Sequence, residues 1–147
     1  MARAVLGNGH MSATGTLDPD LWTAGGVLLG FQVSALWWRV QREVGMKSDS
    51  GAAIRISPSD YLNLAAMVVL VAGVFLYPTI ANTFPRVTKV CLGVSTILFL
   101  GHAFALVGHY ELFRNAPRPG SFFPRQEQVA IAGTALAVLL YLVAASR

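Results

Sequence analysis

Four apolar runs, at about 21–38, 61–77, 90–108 and 129–145, alternate along this chain with polar, basic or proline-bearing stretches. A bilayer's hydrocarbon core is about 30 Å thick, which a helix of roughly 20 apolar residues crosses. Each run is close to that length, and none shows the short alternation of a half-buried strand. The pattern therefore predicts an all-α integral membrane protein, a four-helix bundle built of two antiparallel transmembrane hairpins. A four-span domain over 21–147 follows a flexible polar tail over 1–20. That tail lacks the continuous apolar core of a secretory signal. It carries His10, expected to be solvated, and Met11, which offers a second initiator.

Local signals place the element boundaries. Ser57-Pro58-Ser59-Asp60 reads as a helix start, with Ser57 as cap, Pro58 at the first helical position and Asp60 against the helix dipole. Pro78 is expected to stop the second span and Pro85 to open the third. Gly45 and the Ser48–Gly51 segment are expected to break the first helix, and Asn115–Phe123, with two prolines and a glycine, to interrupt the last link. Pro124 and Glu127 repeat the proline-then-acid start. The two halves thus share an order of features, which any two-span hairpin also imposes by itself.

Within the spans, small residues mark faces where helices approach closely. Gly26, Gly30 and Ser34 recur every four residues in the first span, Gly101 and Ala105 stand in the third with Gly108 beyond, and Gly133 and Ala137 in the fourth beside Ala130 and Thr134. Gln32 is the polar exception in the first span, and its amide is expected to hold another helix. Trp22, Trp37 and Trp38 bracket that span as an aromatic belt.

Composition agrees with this picture and charge adds sidedness. The chain is 54% hydrophobic and 12% charged, against about 25% charged in soluble domains. A net charge of +4 is dispersed beside the spans, so contact with membrane lipids explains it and nucleic acid is not a partner. With four spans, the four basic residues Arg3, Arg86, Lys89 and Arg147 share one side, and the seven others, Arg39, Arg42, Lys47, Arg55, Arg114, Arg118 and Arg125, share the opposite one. The positive-inside rule then puts links 39–60 and 109–128 in the cytoplasm and both termini outside, in a plasma or inner membrane. Arg39, Arg42, Arg114, Arg118 and Arg125 become candidates for lipid-headgroup contact.

Candidate chemistry is sparse. The single cysteine, Cys91, excludes an intrachain disulfide and a cysteine-rich metal site, and no metal site is expected. HExxH, GxSxG, the phosphate-binding loop and the dinucleotide fingerprint are all missing. His102 and His109 are the candidates for cofactor binding. Seven residues apart, they share a helix face but stand about 10.5 Å apart along the axis, too far to grip one small ion. Haem would need an opposing ligand from elsewhere, such as Met67 or His102 of a second copy. The plainer reading is a neutral His102 bonded to Gln32, Asn63 or a backbone carbonyl. His109, Tyr110, Glu111 and Arg114 are expected to form an interfacial cluster with a helical Glu111–Arg114 pair. The expectation is a non-catalytic structural or accessory subunit, with no cofactor, that packs as a homo-oligomer or in a larger membrane complex. The alternative is a lipid- or quinone-handling enzyme, or a haem-bearing electron carrier, using His102, His109 and the interfacial arginines.

Overall fold

The computed structural model describes residues 19–50, 57–82, 86–109 and 124–147. Most of the expected polar tail, and Tyr110, Glu111, Arg114 and Arg118, lie outside the described residues. Among the described residues the chain is all helical, without a strand. The helices are α1 (Pro19–Ser50), α2 (Pro58–Leu70), α3 (Tyr77–Ala81), α4 (Arg86–His109) and α5 (Arg125–Ser146), with a π-helical turn over Val71–Leu76 between α2 and α3. The rod from Pro58 to Ala81, α4 and α5 are three helices long and apolar enough to cross a membrane. The first apolar run, expected as a fourth, is not among them: Gln32, Ser34 and three glycines dilute α1.

Two expected helix breaks are absent. Gly45 does not end α1, which continues to Ser50. Pro78 does not end the second span, because the π-helical turn precedes it. A proline inside an α-helix clashes with the carbonyl four residues back. Here Tyr77 N–H reaches Ala72 O, one residue further than the α pattern, so the chain widens by a residue and passes the proline. The rod stops four residues later, at Asn82 in the left-handed conformation (φ 50°).

Inside and outside are inverted relative to a water-soluble protein. Among the described residues the fully buried apolar ones are few, Ala66, Leu70, Val74 and Ala105, while Gln32, Asn63, Ser95, His102 and Glu127 are buried with them. Large apolar side chains point outward, Phe104 at 70% and Val129 at 72% exposure. Lipid supplies little drive for apolar side chains to leave it, but polar groups must still find partners inside. Packing therefore follows polar and small residues.

The helix α4 is central, packing most extensively on α5 and on α2, whereas α1 lies more lightly against α2 and α4. The contact line of α1 is Gly25, Gln32 and Arg39, each seven residues from the next. A Cβ at Gly25 would stand 3.0 Å from Val74, Gln32 meets Ser95, and Arg39 meets Asp60, so α1 runs antiparallel to the Pro58–Ala81 rod. The expected face of Gly26, Gly30 and Ser34 points away instead, and a Cβ at either glycine would meet nothing within 4 Å. On α4, Gly101 and Ala105 are buried, and a Cβ at Gly101 would run into the Thr134 side chain of α5. Gly133 and Ala137 of α5 remain exposed.

Candidate functional site

The antiparallel arrangement brings four segments to one end of the molecule: the second half of α1, the start of α2, the end of α4 and the start of α5. Each delivers an ionisable or hydroxyl side chain into the same buried cluster.

The start of α2 is built as its sequence predicts. Ser57 Oγ accepts from Ser59 N–H, and Asp60 Oδ2 accepts the Ser57 N–H at 3.0 Å, which completes a capping box. The start of α5 is built differently. Its cap position is Pro124, which has no side-chain donor or acceptor to offer. Glu127, three residues on, turns away from its own helix end and reaches α2. Its Oε1 accepts from Ser57 Oγ and from Ser59 N–H, both at 2.9 Å, and its Oε2 meets His109 Nδ1 at 2.8 Å. Since Ser57 Oγ donates to the carboxylate, the adjacent Ser59 hydroxyl donates to Ser57. Glu127 is fully buried, so it acts as a second, tertiary cap of α2 while holding α4 through His109.

Three further side chains close the cluster. His102 Nδ1 donates to Ser59 O at 2.9 Å, which sets its tautomer and makes a backbone carbonyl its partner. Arg39, expected at the lipid headgroups, is instead turned inward: it is 4% exposed, bonds Glu43 at 2.7 Å and faces Asp60 Oδ1 at 3.4 Å. Arg42 is half-buried, and Arg125 is exposed beside the cluster. His102 and His109 thus belong to one cluster but point their Nδ1 atoms at different partners, a carbonyl and a carboxylate. Among the described residues no three of His, Cys, Asp and Glu gather around a point where a metal could sit.

A second polar layer lies deeper. Gln32 Nε2 donates to Ser95 Oγ at 2.9 Å, Ser95 Oγ donates to Ala66 O at 2.8 Å, and Asn63 Nδ2 donates to the Gln32 backbone carbonyl at 2.9 Å. Ser95 has one hydroxyl proton and gives it to Ala66, so the Gln32 amide can only be oriented with its nitrogen toward Ser95. Gln32 Oε1 and Asn63 Oδ1 are left buried without donors. An unmade bond on a buried acceptor costs about as much as a made one contributes. Replacing Gln32 with leucine is therefore expected to change stability by no more than about 1 kcal/mol, since one bond and one orphan disappear together. Unfolding of purified Gln32→Leu in detergent measures this, and a loss well above that range would show that Gln32 Oε1 is satisfied after all.

Sequence reasoning picked out His102, His109 and Gln32 but passed over Glu127 as the hub, reading it as the acid of its own helix start. A signal was available. A carboxylate two residues from an uninterrupted apolar run, behind a cap that cannot use it, needs a partner from another helix. Comparison with family models, with curated proteins and with solved structures returned no match.

Proposed function

We propose that this chain is a small polytopic membrane protein with a non-catalytic structural or accessory role, associating with copies of itself or with a larger membrane complex. In this reading α1 is a fourth crossing, the four helices form a bundle, and both termini lie outside. Trp37 and Trp38, 62% and 59% exposed, then sit at headgroup level where α1 leaves the membrane.

The observation that carries the reading is that the ionisable cluster spends its hydrogen bonds on itself and on backbone, with Asp60 Oδ1 the buried oxygen that has an ion-pair neighbour but no hydrogen bond. Both Glu127 oxygens are committed to Ser57, Ser59 and His109, His102 holds a backbone carbonyl, and Asp60 holds the Ser57 amide and faces Arg39. Catalysis needs polar groups converging on an open cavity, whereas the two grooves described between α4 and α5 are lined mainly by apolar side chains. The outward face of Gly26, Gly30 and Ser34, which nothing among the described residues covers, supports close association with another helix.

A second reading is favoured by one feature. His109 is 21% exposed and bonded to a fully buried carboxylate, an arrangement that orients an imidazole for proton exchange at a membrane surface. It would suit a lipid- or quinone-handling enzyme or a haem-bearing carrier.

Purification in mild detergent followed by identification of co-purifying proteins tests the first reading: a stoichiometric membrane partner, or a discrete homo-oligomer, is the expected result. A strictly monomeric protein without partners would overturn it. A visible spectrum separates the two readings. Under the first, no Soret band is expected and His102→Leu costs about 1 kcal/mol through the lost bond to Ser59. Under the second, a Soret band would be present in the wild type and lost in that variant.

A further inference from the structure

We infer that the outer groove between α4 and α5 is a binding site for one anionic phospholipid, its acyl chain lying along the groove and its phosphate held by Arg125. The groove has two connected parts that share Phe104 and Ala130. The deeper, of about 450 Å³, is floored by Gly101, Gly133 and Ala137, and the shallower, of about 460 Å³, ends at Arg125 and Gln126.

Its chemistry changes along its length. The deep part exposes almost no polar surface, because the one hydroxyl there, Thr134 Oγ1, is turned back onto Ala130 O at 2.7 Å. The shallow end carries a positive charge, and among the described residues no carboxylate pairs with Arg125. Ala137 and Arg125 are twelve residues apart on α5, or about 18 Å. That is close to half of the ~30 Å hydrocarbon core, the depth of a single leaflet. An amphiphile with an apolar chain of one leaflet's depth and an anionic head fits both ends. A transmembrane helix of another protein would fit the deep part and leave Arg125 uncompensated. The inference rests on the membrane reading above, under which the Arg125 end lies at the cytoplasmic leaflet, where anionic lipids collect.

The groove can be blocked without touching the packing behind it. Gly133 is exposed and a Cβ there meets nothing within 4 Å, so Gly133→Phe fills the groove from outside. Ala137→Trp, also at an exposed position, does the same one turn deeper.

The test is native mass spectrometry of the full chain released from detergent containing equal phosphatidylglycerol and phosphatidylcholine. One retained phosphatidylglycerol per chain is expected. Arg125→Gln should lower its preference over phosphatidylcholine about fivefold, the weight of one arginine at a lipid surface. Both groove-filling variants should retain neither lipid. Equal retention of the two lipids, wild-type retention by the filled variants, or a dimer mass that the filled variants abolish would each overturn the site. An alkaline wash of the source membranes separates this failure from that of the membrane reading. Protein released by the wash removes both, whereas protein that stays in the pellet without phosphatidylglycerol removes only the lipid site.

Discussion

Replacing Glu127 with alanine is expected to cost about 3 kcal/mol of stability, the largest effect of any single truncation in this chain. Breaking one side of a buried charged network typically costs 3–5 kcal/mol, and two circumstances place this case at the low end. Ser59 N–H keeps its second acceptor, Ser57 Oγ at 3.2 Å, and His109 is exposed enough to turn toward water. What is lost is the link between the start of α2 and the end of α4. Glu127→Gln retains an acceptor for Ser57 and Ser59 and lets His109 change tautomer, so its cost should be about 1 kcal/mol. Unfolding of both variants in mixed micelles measures the difference. Equal losses for alanine and glutamine would mean that charge, rather than hydrogen bonding, holds the cluster. A glutamine variant that keeps its stability but loses a measured enzymatic activity would favour the second functional reading.

Gly108→Val should destabilise by about 2 kcal/mol, within the usual range for overpacking. Gly108 is buried where α4 crosses the start of α5, and a Cβ there would stand 2.9 Å from the backbone carbon of Gln126 and the backbone nitrogen of Glu127. Backbone atoms cannot swing aside as a side-chain tip can, so the first turn of α5 must move. That turn carries Glu127, and its 2.8 Å contact with His109 should stretch with it. The two predictions are therefore coupled. Once Glu127 is alanine, the valine has less left to break, and the double variant should fall short of the summed losses by about 1 kcal/mol. Strict additivity would show that Gly108 and Glu127 act separately.

The extent to which the fold was legible follows from what each residue signals by itself. The apolar runs, the Ser57–Asp60 capping box and the helix start after Pro85 are local, and the structure agrees with each of them where it describes them. Breaks at Gly45 and Pro78 were local inferences too, but a glycine only weakens a helix and a proline can be passed by a π-helical turn. Packing faces were harder to read. On α1 the four-residue spacing of Gly26, Gly30 and Ser34 competes with the seven-residue spacing of Gly25, Gln32 and Arg39, and the second line is the one that faces inward. A glutamine amide and a guanidinium gain far more from a polar partner than two glycines gain from close approach, so they decide which way the helix turns.

From the sequence alone came an all-helical chain, four apolar runs, of which the structure makes three into helices apolar enough to cross a bilayer, and a histidine pair on one helix face. Hydrophobic period, run length and caps are written residue by residue. Which carboxylate meets His109 depended on the tertiary structure, because Glu127 stands eighteen residues away across a link whose course no local rule specifies. Only the close crossing at Gly108 brings the start of α5 against the end of α4, and only the antiparallel return of α2 presents Ser57 and Ser59 to the same carboxylate.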